Sequence, residues 1–265
     1  IKDAFREAKS YQQQWDKWRE MGQAQNLIPP KPDLQLETLL EILEDDRYIT
    51  CHSYVQSEIT MLMRLAEAEG FRVNTFTHIL EGYKVADKMA QHGATGSTFS
   101  DWWAYKYEVI DAIPYNAALM QMAGVNVCIN SDDREMARRL NQEAAKAIKY
   151  GGVSEEEAWK MVTLNAAKAL NLDDRLGSMD VGKDADLVLW SAYPMSIYAK
   201  PLNVWIDGAL YFDTASDMLM RQRMASERQR ILTAMRAEAN GDSPSFPGRR
   251  TVPEYGCDHV GGLED

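Results

Sequence analysis

The 265-residue sequence predicts an α/β protein built on a parallel sheet. Three observations carry that expectation. Short runs rich in strand-forming residues recur at 48–51, 72–77, 94–99 and 125–130, each followed by a helical segment, and strands alternating with helices make parallel β-α units. The runs read as apolar throughout, as strands do when both faces of a sheet are covered. Glycines sit where helices must stop, at Gly70, Gly93 and near Gly151, because glycine enters the left-handed conformation of a C-cap without steric cost.

The elements follow in order. In IKDAFREAKSYQQQWDKWRE the side chains of Phe5, Ala8, Tyr11 or Gln12, Trp15 and Trp18 fall along one helical stripe. The prolines of IPPKP end that helix. Asp33 caps a second one, with Leu36, Leu39, Leu40 and Leu43 on its apolar face. After run 48–51, Ser53 and Gln56 have capping-box spacing and open a helix over 54–69. Run 72–77 leads to a helix around 83–91. Run 94–99 leads through SDWWAYKYEVIDAI to a helix starting at Pro114. Run 125–130, VNVCIN, leads through Ser131-Asp132-Asp133 to a helix ending near Gly151.

Beyond Gly151, Ser154 and Glu157 form a second capping box ahead of Trp159, Val162 and Ala166. The character then changes. GSMDVGKDADLVLW and NVWIDGALYF read as a small antiparallel layer, the second a hairpin turning at Asp207-Gly208. Residues 214–240 return to an Arg- and Met-rich helix, and the tail is expected to be loose. These shifts divide the chain into 1–178, 179–213 and 214–265.

A formal net charge of −11 argues against nucleic acid as a partner, since a phosphate backbone demands Lys/Arg patches. No apolar run approaches the roughly 20 residues of a bilayer-spanning helix. The expectation is a cytoplasmic protein acting on a small molecule. Cys51, Cys128 and Cys257 are odd in number and far apart, so no disulfide framework is implied, and the first two read as small buried hydrophobes.

Ligands of parallel β-α sheets bind beyond the carboxyl ends of the strands. Those positions hold His52, His78, Ser100-Asp101 and Ser131-Asp132. Two imidazoles and a carboxylate on one rim suit a divalent metal. Each has a structural alternative. A strand-end histidine also serves as a hydrogen-bonded scaffold residue, and Asp132, Ser131 or Asp133 can cap the helix that follows. Tyr54, Glu81 and Tyr83, close in sequence to the histidines, are substrate contacts or packing residues. His92, in a last helical turn, reads as structural, and His259 near Cys257 is a weak metal pair. No GxSxG, CxxC or phosphate loop occurs.

CHSYVQSEI, FTHILEGYK, CINSDD and TLNAAKALNLDDRLGSMDVGKDADLVLW together resemble the amidohydrolase superfamily, in its imidazolonepropionase and Xaa-Pro dipeptidase-like branch, over roughly residues 33–213. The resemblance implies the C-terminal half of a (β/α)8 TIM-type barrel, strands five to eight, plus part of a small β-sandwich and a C-terminal helix. It implies one or two divalent metal ions, zinc (Zn2+) foremost. His52 matches the fifth-strand histidine, His78 the sixth-strand histidine and Asp132 the eighth-strand aspartate. The implied reaction is hydrolysis of an amide or imide C–N bond, in a small molecule or dipeptide, by a metal-activated water. Asp132 would take the water's proton and hand it to the leaving nitrogen.

The family's HxH pair and fourth-strand ligand have no match, since the histidines are 52, 78, 92 and 259. The expected ligand set is therefore incomplete in this chain. A missing N-terminal half, a separate polypeptide or a second copy in a homo-oligomer would complete it, and a truncated sequence is favoured. The alternative is a non-catalytic half-barrel serving as a structural or assembly module.

Overall fold

In the computed structural model, which describes residues 1–22 and 28–239, four short strands lie side by side in sequence order. They are β1 (Ile49–His52), β2 (Val73–Thr77), β3 (Thr95–Thr98) and β4 (Val127–Ile129), and all run parallel. Helices α3 (Gln56–Glu69), α4 (Ala86–His92) and α5 (Asn116–Met122) make the crossovers. Gly70 and Gly93 adopt the left-handed C-cap expected of them, at φ 82° and 80°. Among the described residues α1 (Lys2–Lys17) and α2 (Leu34–Leu43) precede the sheet, and α6 (Leu140–Gly151), α7 (Glu155–Lys160) and α8 (Leu164–Ala169) lie between it and the second sheet.

The strands are not apolar on both faces, which corrects the reading of the sequence. Phe76, Val127 and Ile129 join Ile59, Met63, Met89 and Met120 in one hydrophobic core on the helix side. Alternate positions turn the other way, and apart from Cys128 those of β2 to β4 that face Ser97 are polar. There Asn126 Nδ2 donates to Thr95 Oγ1 at 3.0 Å and Asn130 Nδ2 donates to Ser97 Oγ. Asn74 and Asn165 close the amino end of the sheet by donating to Ala169 O (2.6 Å) and Val127 O (2.9 Å). Buried polar groups are tolerated because they are bonded. In β1 the half-buried Ile49 and Cys51 alternate with exposed Thr50 and His52.

Phe5, Ala8 and Tyr11 of the predicted stripe are buried, and Phe5 stacks on Phe71 at 4.4 Å. Lys9 donates to the last carbonyl of α3, Glu69 O, at 2.7 Å, a favoured place for a cation. Asp33 caps α2 by accepting from Gln35 N and Leu36 N. The Ser53 capping box does not form. The strand runs on to His52, α3 begins at Gln56, and the Gln56 N–H is taken at 3.0 Å by the Glu81 carboxylate. Ser154 does accept from Glu157 N at 3.2 Å, but the predicted single helix breaks at Thr163 (φ −133°, ψ −97°) into α7 and α8.

The second sheet holds β5 (Leu187–Trp190), β6 (Pro201–Ile206) and β7 (Ala209–Asp213) in that order, with β5 antiparallel to β6. Asp207 and Gly208 both have positive φ, 51° and 75°, as a two-residue type I′ hairpin turn requires. The described residues divide into two units between Phe212 and Asp213. In the second, Asp213 accepts from Ser216 N at 2.8 Å at the head of α9 (Thr214–Ala239), an exposed helix with Arg221–Asp217 and Arg230–Glu227 ion pairs. The tail, with Cys257 and His259, lies outside the described residues. Among those residues no helix is long and apolar enough to cross a membrane.

Candidate active site

Strand β1 ends on His52, and β2 ends at Thr77, so His78 is the first residue past it. The two rings meet with centroids 4.4 Å apart at 75°. His52 is exposed, while His78 is only 8% exposed and lies flat on Phe99 at 4.9 Å and 14°. His78 and Asp132 both have left-handed backbones, φ 62° and 43°. That conformation is uncommon outside glycine, and such outliers persist where the surrounding structure over-determines them.

The restraint on His78 is visible. Ile79 N donates to Ser97 O at 3.3 Å, tying the residue after His78 to β3. Asn116, at the start of α5 and 2% exposed, accepts from Tyr83 N at 2.8 Å. Its amide nitrogen donates to Ile79 O (2.8 Å) and Thr98 Oγ1 (2.9 Å). One buried side chain thus ties the His78 loop to strand β3 and helix α5. Gly82 lets that loop lie close to α5, since a Cβ there would stand 2.3 Å from Met120 Sδ.

Asp132 is exposed, and the capping duty it shared in the sequence reading falls to its neighbour. Asp133 accepts from Glu135 N and Met136 N, each at 2.8 Å. These bonds, Met136 first, hold the Asp133 carboxyl below its ordinary pKa. Ser100 and Asp101 are committed elsewhere: Ser100 donates to Glu143 O at 2.8 Å, and Asp101 pairs with Lys146 at 2.5 Å. Burial alone would lower the Lys146 pKa, but Asp101 and Glu143 together raise it.

Of the weaker candidates, Tyr54 packs against His78, with ring centroids 6.2 Å apart at 27°. Glu81 is buried, caps α3 through Gln56 N and pairs with Lys84 at 3.4 Å. Tyr83 donates to Asp111 O at 3.0 Å, and burial first, then Asp111 and Glu81, raise its pKa against the opposing pull of Lys84. His92 is structural: its Nε2 accepts from Val73 N at 3.1 Å, which leaves the Nδ1 hydrogen for Glu67 at 3.0 Å.

The structure therefore brings His52 and His78 together. Among the described residues no group of three His, Cys, Asp or Glu side chains converges to hold a metal. The two rings are in edge-to-face contact, and imidazole nitrogen is a donor type that divalent zinc accepts. Phe99 and Asn116 were not singled out from the sequence. Nothing local marked Asn116.

The profile of the amidohydrolase family matches residues 28–216. The amidohydrolase tasK of Hapsidospora irregularis is 26% identical over 221 residues, covering 79% of this chain and 22% of that protein. The imidazolonepropionase of Thermoplasma volcanium is 28% identical over 165 residues, covering 59% of this chain and 40% of that protein. Among solved structures, an amidohydrolase from Thermotoga maritima MSB8 superposes with a TM-score of 0.70 at 30% identity, over 80% of this chain and 55% of that one. The chain thus spans less than two thirds of the length of each of these relatives.

Proposed function

The chain belongs to the amidohydrolase family, and we propose that it carries part of a metal-dependent centre that hydrolyses an amide or imide C–N bond of a small molecule. The contact of His52 with His78 at the carboxyl edge of the sheet carries this reading. His52 and His78 would hold a divalent ion as imidazoles, zinc being the first to test, and the ion would supply Lewis acidity to a carbonyl and to water. Asp132, relieved of helix capping by Asp133, is the base that receives the proton of the attacking water and returns it to the leaving nitrogen. Tyr54 packs against the side of His78 and meets the substrate.

We infer further that β1–β4 are strands five to eight of a barrel and that β5–β7 belong to a small sandwich. Among the described residues β1 pairs only with β2, and β4 only with β3, whereas a closed barrel has no edges. On this reading the remaining ligands come from strands outside these 265 residues. The exposed edge of β1 also suits a non-catalytic assembly module, the second reading.

Elemental analysis of the purified chain, alongside a His52→Ala/His78→Ala double variant, separates the two. Bound metal that depends on the two histidines, and so is lower in the variant, is expected. Equal metal content in both proteins, or self-association with none, sinks the metal-centre reading.

A further inference from the structure

Helix α6 carries a basic face that the proposed reaction does not use. Arg139, Gln142, Lys146 and Lys149 recur at i, i+3, i+7 and i+10, a spacing that keeps side chains on one side of a helix. All four line a cleft of about 370 Å³, and Met195 and Ile197, from the segment after β5, line it too. Asn141 ties that segment to α6 by donating to Pro194 O.

Only one of the three cations is neutralised. Lys146 is shared by Glu143, at 2.7 Å, and Asp101. Among the described residues Arg139 makes no ion pair, and Lys149 has only the ring of Tyr150, 5.5 Å from its Nζ. Arg139 is also the N-cap residue of α6 and makes no side-chain cap bond there, at the helix end whose dipole favours an anion. Arg139 and Lys149 are ten residues apart, about 15 Å along the helix. A single small anion cannot reach both, whereas two acidic groups on one elongated body can. A body with charge alone would leave Ile197, 70% exposed, uncovered. Burying it adds apolar free energy to the charge pairing.

We propose that this face of α6 docks an acidic amphipathic helix of another protein. In an α-helix two side chains eleven residues apart share a face and stand about 16 Å from each other, which matches the separation of Arg139 and Lys149. Carboxylates at those positions pair with the two cations. The apolar stripe between them lies on Met195 and Ile197, a helix laid in a groove. The whole chain carries −11 and repels an acidic partner at long range, so docking rests on the local cations and on apolar contact. It is independent of hydrolysis at the sheet rim.

The test is fluorescence anisotropy of a labelled synthetic helix about 18 residues long, enough to span the face, titrated with the full chain. Glutamates flank its leucine stripe. One control peptide has Lys for Glu, and another has Ser for Leu. The acidic amphipathic peptide is expected to bind at least tenfold tighter than either control. Arg139→Glu/Lys149→Glu should weaken it about tenfold, Ile197→Asp should weaken it too, and Arg223→Glu/Arg228→Glu on α9 should not. If the α6 charge reversal unfolds the protein, Arg139→Gln/Lys149→Gln takes its place. No binding overturns the proposal. So does binding that survives the α6 substitutions in a protein that melts like the parent, or that falls as far with the α9 pair. Equal binding of the serine control overturns it as well, because charge alone then suffices. Light scattering is recorded on the same samples. A dimer of the chain that the α6 substitutions dissolve would put a second copy on this face and overturn the separate partner.

Discussion

Replacing Asn116 by alanine tests whether the His78 loop is held as described. The side chain is 2% exposed and makes three hydrogen bonds. Its loss does not strand every partner. Ile79 O still accepts from Thr98 Oγ1 at 3.3 Å and from Gly82 N at 3.4 Å. Tyr83 N–H, in a part-buried bond, has no substitute acceptor among the described contacts, and a donor left unpaired costs about 1–3 kcal/mol where water does not reach it. The two lost amide donations add roughly 1 kcal/mol, moderated because the amide no longer has to be desolvated.

The total is about 2–3 kcal/mol. For a unit of 212 residues, about 2–4 °C of melting temperature goes with each kcal/mol, so the midpoint should fall by about 5–10 °C. Thermal melts followed by circular dichroism measure this. Asn116→Asp keeps the acceptor for Tyr83 but sets a carboxylate against Ile79 O, and should lose at least as much. A midpoint within about 2 °C of the parent for Asn116→Ala would refute the claim that this side chain ties the loop to the sheet.

Two further perturbations follow from the same packing. Gly82→Ala forces a Cβ to 2.3 Å from Met120 Sδ and 2.9 Å from Ile79 Cδ1, an overpacking expected to cost about 1–3 kcal/mol. In a Met120→Ala background, itself destabilised, the same substitution should cost much less in urea melts than it does in the parent, and an undiminished cost would mean the clash lies elsewhere. Cys128 gives a pH dependence. Burial pushes its thiol from 9.0 to about 11, against a smaller opposing effect of Ser97. The unfolded chain therefore releases this proton first as pH rises, and stability present below about pH 9 is lost toward pH 11, by about 2–3 kcal/mol in all. The urea midpoint should fall more steeply between pH 8 and 10.5 for the parent than for Cys128→Ala. Identical slopes would remove Cys128 as the cause.

The rhythm of the fold was legible because its signals are local. Gly70, Gly93 and the Asp207-Gly208 pair each state a backbone conformation that few other residues adopt, and each adopts it. The positions of His52 and His78 were legible for a related reason: a polar residue at the end of a strand-forming run marks the rim whatever the surrounding loops do. What failed was reading faces. Thr75, Ser97 and Asn130 belong to strand runs, and counting them simply as strand-formers hid that alternate positions in the sheet are polar, Asn130 bonded to Ser97 and Thr75 to Ala169 O. The Ser53 box failed because Glu81, 25 residues from Gln56 in sequence, supplies the cap instead. Asn116 acts on a loop more than thirty residues away, and no local pattern can announce a contact of that length.

The two faces of the sheet divide the work of holding His78. A left-handed, non-glycine residue costs on the order of 1–3 kcal/mol, so it must be secured by something other than its own preference. On the helix side Phe76, Ile79 and Met120 are fully buried, and that side has no room to relax. Asn116 and Thr98 then fix the Ile79 carbonyl directly behind the histidine. On the other face, His52 at the end of β1 is exposed, so the ring pair is pinned from behind and open in front. A metal-ligand pair needs this arrangement: rigidity in the backbone that sets ring direction, with access left on the side from which an ion and substrate arrive. His92 plays a different part in the same chain, with its ring nitrogens bonded to Val73 and Glu67 at the opposite end of the strand.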